Sequence, residues 1–362
     1  MIKSLWLWTA AWVAVGHVPF LVLPFFFGKT WTWSLFGVFV VASFVRRVAT
    51  LRATMMRGSW RDAHVFITGG SQGLGLAMAK GAAALGAKVS IASRSATKLE
   101  AAKADILEAT DGKASVFAFP VDLSKATSAE VGAVLAQATA AQGPLSVVVA
   151  NAGTGHARLV TDGRDDFDEY LDGLIDLNAR GTLRVVSEAA KAMEKAGGGG
   201  RICVVSSAAG LVSLPGYAYY SATKFGHRGL VAGAARELLQ RNIVLSCFYP
   251  GSLLTPGYAS ELEDRPYVTD RIENDCSTAT KADVAAKAAL TAIASGDREA
   301  SNELLPQLLI DAPTGFLHVD LAIALFLPLF RAAWDLYIQV MTFLYLDASS
   351  ASRSPASAKK RN

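Results

Sequence analysis

The sequence predicts an α/β protein: a doubly wound parallel sheet, with an amino-terminal membrane anchor before it and apolar membrane-associated helices after it. Three observations carry this. Between residues 62 and 300, short β-branched runs alternate with helical stretches; a glycine-rich turn joins the first run to its helix; and 52% of the 362 residues are hydrophobic, more than a soluble core needs.

Residues 1–61 read as an anchor with a basic flank. The run from Leu5 to Phe27 reaches roughly 34 Å at about 1.5 Å per residue, enough to cross a bilayer, with Pro19 and Pro24 kinking it. It is longer than the apolar core of a signal peptide, and no small-x-small cleavage site follows. Trp31 to Val45 reads as a second span, a hairpin arm or an interfacial segment. Arg46, Arg47, Arg52, Arg57 and Arg61 come next and put everything downstream on the cytoplasmic side. The net charge is only +4, and the basic residues gather beside the apolar run and at the carboxy terminus rather than among aromatic groups. This fits a membrane surface and excludes nucleic acid as a partner.

Residues 62–300 read as the Rossmann-type domain. The runs "HVFIT", "KVSIAS", "SVFAFP", "SVVVA", "RICVVSS" and "IVLSCFYP" are apolar and β-branched, as strands buried on both faces require, and Gly197–Gly200 reads as a flexible helix-to-strand loop. Cys203, Cys247 and Cys276 are odd in number and lack metal-ligand spacing, so they read as buried thiols in a reducing compartment. The five histidines are scattered, which suggests neither a metal site nor a Ser-His-Asp enzyme.

Residues 301–346 are apolar but carry Asp320, Arg331 and Asp335. Ionised groups at mid-bilayer cost a few kcal/mol each, so the region reads as helices in the interface or packed on the domain; a helix closing the core or a dimer is the alternative. Residues 347–362 read as a disordered basic tail.

The stretch "VFITGGSQGLGLAMAK" reads strand, turn, helix. Gly69, Gly73 and Gly75, with Ser71 and Gln72 between them, let the main chain turn tightly and approach a pyrophosphate at a helix amino terminus, the cradle of a Rossmann-type nucleotide site. The end of the next strand selects the nicotinamide cofactor. A carboxylate there would take a ribose 2′-hydroxyl, whereas "ASRSATK" offers Ser93, Arg94 and, one helical turn on, Lys98, so the expected cofactor is NADPH. Asp122 closes the third strand, where it would accept from the adenine amino group or cap the next helix.

"GYAYYSATK" holds three tyrosines. Carbonyl reduction needs an acid for the developing alkoxide, and a free phenol is a poor proton shuttle at neutral pH. A lysine four residues on lies one turn away on the same helix face. At about 4 Å and an effective dielectric near 20, its charge would favour phenolate by roughly 4 kcal/mol, or about three pKa units. Only Tyr220 has that partner, Lys224; Tyr217 and Tyr219 read as packing or substrate-wall residues.

With "TGGSQGLG", "NAG" at Asn151–Gly153, "SSAAG" at Ser206–Gly210, "YSATK" and "YPG" in order, residues 62–295 resemble the short-chain dehydrogenase/reductase family. The resemblance implies that Ser207, thirteen residues before Tyr220, polarises the carbonyl, with Ser206 as the alternative. It further implies that the backbone of Asn178 of "DLNARGT" holds a water in a proton relay, that Asn151 belongs to the cofactor site and that Lys224 also binds the nicotinamide ribose. One departure is "ANAG", with Ala150 where the family often has asparagine, which weakens an expected structural hydrogen bond.

Within the family, the anchor, "YSATKFGHRGL", "YPGSLLTPGY" and the apolar carboxy-terminal region resemble the 3-ketodihydrosphingosine reductase branch. This implies NADPH-dependent reduction of 3-dehydrosphinganine to sphinganine, on the cytosolic face of the endoplasmic reticulum, with membrane lipids and a long-chain ketone as partners. The terminal "KKRN" resembles a dilysine retrieval signal. Glu261, Glu263 and Asp264 read as a solvated acidic loop, the substrate ammonium being the alternative partner. Competing readings are a membrane reductase of 3-ketoacyl-CoA, sterols or retinoids, and a catalytically silent lipid-binding scaffold. The sequence leaves homo-oligomerisation open.

Overall fold

The computed structural model describes residues 60–303 apart from 198, 264 and 277, together with 306, 307, 310, 336–342 and 344. The predicted anchor, most of the apolar carboxy-terminal region, the predicted basic tail, Asp264 and the side chain of Cys276 lie outside the described residues. Among those described, no helix is long and apolar enough to cross a membrane.

Strands β1 (His64–Thr68), β2 (Lys88–Ser93), β3 (Val116–Pro120), β4 (Val147–Ala150), β5 (Gly200–Val205), β6 (Ile243–Tyr249) and β9 (Glu299–Ser301) form one sheet in the order β3-β2-β1-β4-β5-β6-β9. Every pairing in it is parallel. A two-stranded ribbon pairs β7 (Leu253–Leu254) with β8 (Thr280–Lys281).

Parallel strands need helical crossovers, and these cover both faces. On one face α1 (Gly73–Ala84), α2 (Ala96–Glu108) and α9 (Ala282–Ser295) pack on Val65, Ile67, Val89, Ile91, Val147 and Val149. Behind the sheet, α3 (Ser128–Gln142) buries Val131, Leu135 and Ala138, while α5 (Thr182–Lys195) buries Val185, Val186, Ala189 and Met193. A capping box starts α3, in which Thr127 Oγ1 accepts from Glu130 N while the Glu130 carboxylate accepts from Thr127 N.

The order in which strands are added reverses between β1 and β4, so the carboxyl ends of these parallel strands open a crevice at the switch point. Three further helices reach it. These are α6 (Ala218–Leu239), α7 (Pro256–Glu263) and α8 (Tyr267–Cys276). The helix entered by α4 (Phe167–Leu174) continues into α5 through a π-helical turn, Ile175–Gly181, which holds Asn178.

Candidate active site

The phosphate loop follows β1. Gly69 has φ +65° and Gly73 φ +57°, a region that side-chain-bearing residues rarely adopt. Gly75 lacks a side chain for a different reason: a Cβ there would lie 2.5 Å from Asn151 Nδ2 and press on the Gly69 carbonyl. Gln72 precedes α1 with extended backbone and no side-chain cap, so the first-turn amides are left for another acceptor. Ser71 is half-buried and Gln72 exposed at the rim, where Lys98 Nζ donates to Gln72 Oε1 at 3.3 Å.

At the end of β2, Ser93 Oγ is buried with no hydrogen-bond partner, beside the exposed Arg94. An orphaned hydroxyl beside a guanidinium is a donor set that fits a phosphate ester. Asp122 does not cap α3, whose cap is Thr127. Its Oδ1 instead accepts from Ser124 N (3.1 Å) and Oγ (2.6 Å), bonds that hold its pKa below the carboxylate range with help from Lys125 and Arg94.

Asn151 ties the loop together. Its Nδ2 donates to the Thr68 carbonyl (2.9 Å), and its backbone N–H donates to Thr68 Oγ1 (3.0 Å). These bonds tie the loop after β4 to the end of β1, beside Gly69 and Gly75.

The predicted catalytic residues converge. Tyr220 lies in the first turn of α6, half-buried, and hydrogen-bonds the Ser207 hydroxyl. Ser207 Oγ also accepts from Ala209 N at 3.2 Å, in a loop pinned to β6 by Ala208 N donating to the Pro250 carbonyl at 2.8 Å. Ser206 is a structural residue, buried, with its hydroxyl donating to the Lys224 carbonyl at 2.9 Å. Of the two serines, Ser207 is the one whose hydroxyl meets Tyr220.

Lys224 is 4% exposed and donates to the Val205 carbonyl at 3.3 Å, with Nζ 5.7 Å from the Tyr220 ring centre. Burial lowers its pKa to about 8. The expectation that Lys224 lowers the Tyr220 pKa is reversed here. Burial of the phenol raises it above its ordinary range, the Ser207 bond opposes this, and Glu261 and Glu273 add to the rise. A desolvated ammonium 5.7 Å from the ring centre does not offset the loss of water around a phenolate, so Tyr220 stays protonated and able to donate.

Asn178 is fully buried in the π turn. Its side chain clasps the loop after β4, Oδ1 accepting from Thr154 N and Nδ2 donating to the Thr154 carbonyl, both at 2.8 Å. Gly153 makes room: a Cβ there would stand 3.1 Å from Asn178 Oδ1 and 3.3 Å from Lys224 Nζ. On the Asn178 backbone, where the resemblance puts a relay water, the carbonyl accepts a 2.7 Å bond from His227 Nε2. The carbonyl fixes the tautomer, so Nδ1 carries no proton; burial and then the Lys224 charge lower the His227 pKa to about 3. Sequence reasoning missed His227, although its place three residues after Lys224 puts it one turn along the same helix.

A short-chain dehydrogenase family model matches residues 63–266, which hold the whole constellation. The chain belongs to that family. Oxidoreduction with a nicotinamide cofactor is the chemistry of this fold and site. The chain is 35% identical over 254 residues to a 3-dehydrosphinganine reductase of Arabidopsis thaliana, covering 70% of this chain and 73% of that protein. To a 3-ketodihydrosphingosine reductase of Yarrowia lipolytica it is 27% identical over 335 residues, 88% of this chain and 87% of that one. A 3-ketoacyl-(acyl-carrier-protein) reductase of Brucella melitensis, solved with NADH, superposes with a TM-score of 0.57 at 26% identity, over 67% of this chain and 97% of its own.

The remaining tyrosines divide as well. Tyr219 packs edge-on against Phe167, with centroids 5.2 Å apart, and against Tyr170. Tyr217 is buried with its hydroxyl on Glu261. Cys203 and Cys247 are buried thiols, each pushed up to about 12 by desolvation, and inert as nucleophiles.

Proposed function

We infer that the protein reduces the ketone of 3-dehydrosphinganine to sphinganine. The observation that carries this is the Tyr220–Ser207 pair beside Lys224, in a chain similar over most of its length to reductases of that name. A nicotinamide bound in the crevice would supply the hydride that the carbonyl carbon takes up. Ser207 holds the carbonyl oxygen, and the Tyr220 hydroxyl gives it a proton as the alkoxide develops. Lys224 stabilises the phenolate left behind and binds the ribose, and Asn178, backed by His227, positions the loop through which the proton is replaced.

NADPH is the expected reductant, held through its 2′-phosphate by Ser93, Arg94 and Lys98. The absence of a carboxylate at the end of β2 supports this choice. Arg94→Asp should move the preference toward NADH, and unchanged selectivity would place the phosphate contact elsewhere. The protein is further proposed to sit in the endoplasmic reticulum membrane with its catalytic domain toward the cytosol, a reading supported by the run Leu5 to Phe27 and the arginines after it. An anchored enzyme meets a membrane-dissolved substrate at high local concentration.

The deciding experiment is lipid analysis after incubating the full chain with NADPH or NADH and either 3-dehydrosphinganine or 3-ketoacyl-CoA. Sphinganine formation with NADPH is expected. No turnover of the sphingoid ketone, with reduction of the thioester, would replace this reading by that of a 3-ketoacyl reductase.

A further inference from the structure

We propose that Glu261 is the residue that recognises the substrate's ammonium group. This rests on the sphingoid-ketone reading above and adds a specificity determinant to it. Far from lying in a solvated loop, Glu261 has a side chain only 16% exposed, whereas its neighbour Glu263 is exposed. Two donors fix it through a single oxygen, Oε1, which accepts from the Tyr217 hydroxyl and, at 3.0 Å, from Arg265 Nη2. The other oxygen, Oε2, borders the catalytic tyrosine. A Cβ on Gly155 would stand 3.0 Å from Glu261 Oε2 and 3.4 and 3.5 Å from Tyr220 Cε2 and Cζ, so carboxylate and phenol line the same small space left by a missing side chain.

The chemistry of the ketone matches that spacing. In a 2-amino-3-ketone the ammonium nitrogen is two bonds from the carbonyl carbon, about 2.5 Å away by standard bond lengths. Once Tyr220 donates to the carbonyl oxygen, the ammonium must lie within a few ångströms of the tyrosine, on whichever edge the chain does not occupy. A carboxylate oxygen on that edge gives a charge-assisted bond to an amino ketone and nothing to a thioester.

Arg265 does not cancel the carboxylate. Its guanidinium, with a side chain 2% exposed, is shared with Glu273, which it contacts directly and which Ser252 Oγ holds at 3.0 Å, and with Asp270 at 4.0 Å. Burial raises the Glu273 pKa; the Arg265 charge opposes this, the Glu261 charge adds to it, and the net direction is still upward. A second cation would relieve the excess of carboxylates around Arg265.

The test compares 3-dehydrosphinganine with its desamino analogue, 1-hydroxyoctadecan-3-one, using the full chain in detergent with NADPH. The wild type should prefer the amino ketone in kcat/KM by about 10- to 100-fold, mostly through KM, and Glu261→Gln should lower that ratio at least about tenfold, with Glu261→Asp recovering part of it. A wild-type ratio near one, or a Gln variant that weakens both substrates equally, overturns the proposal. If the Gln variant does not fold, the wild-type ratio decides, together with competition by octadecylamine against octadecanol, where equal inhibition overturns the proposal. Should the wild type reduce neither ketone but act on 3-ketoacyl-CoA, the functional reading falls. The same amine competition, run against that thioester, then decides the ammonium site separately.

Discussion

Lys224 Nζ stands 5.7 Å from the centre of the Tyr220 ring while donating to the Val205 carbonyl, and the Tyr220 hydroxyl bonds Ser207. The phenol is thus held protonated by burial and aimed by a serine. Tyr220→Phe should lower turnover by about 10³-fold while nucleotide affinity changes little, since the lost hydroxyl acts on the alkoxide. Steady-state rates alongside nucleotide titration by fluorescence check this; wild-type turnover in the variant would remove Tyr220 as the acid.

The pH dependence belongs to Lys224. Its pKa of about 8 lies below the ordinary 10.5, so between those values the folded protein holds one proton fewer than the unfolded chain. Stability therefore rises with pH through that window, and the cost of the buried charge is fully present below it. Urea unfolding at pH 7.5 and 10 should show this rise in the wild type and lose most of it in Lys224→Met. Reduction should slow above about pH 8 as the ammonium is lost, whereas the raised pKa of Tyr220 keeps the phenol out of that limb.

The two serines should separate cleanly. Ser207→Ala removes the hydroxyl that meets Tyr220 and should reduce kcat by about 10²-fold with little loss of thermal stability. Ser206→Ala breaks a buried bond to the Lys224 carbonyl and should cost about 1 kcal/mol of stability, visible as a lower Tm. Equal kcat losses in the two variants would return the assignment to open choice.

Gly75→Ala would push a methyl group against the Gly69 carbonyl and Asn151 Nδ2. Overpacking against backbone costs about 1–3 kcal/mol, so this variant should melt lower and bind nucleotide weakly. A variant that retains the wild-type Tm and affinity would show that the loop relaxes at no cost.

Much of this was readable in the chain. All six strands expected from β-branched runs are present, because strands buried on both faces are apolar throughout, and the Tyr220–Lys224 spacing brought the pair together as helix geometry requires. Strand β9 escaped notice since Glu299-Ala300-Ser301 has no large apolar residue and exists through pairing with β6. The direction of the Tyr220 shift escaped too, because spacing measures proximity of charge and says nothing of desolvation. Glu261 looked like part of a solvated acidic run until Tyr217, 44 positions earlier, and Arg265 were seen to hold it. The π turn at Ile175–Gly181 has no periodicity of its own that would announce it.

That turn has a dynamic consequence. Asn178 gives its side chain to the loop at Thr154 and its carbonyl to His227, so three segments distant in sequence are laced through one residue. Deuterium should enter the amides of residues 175–182, the loop after β4 and the middle of α6 in a single cooperative opening. Cutting the lace at His227 should let the loop exchange early while the sheet beneath keeps its protection.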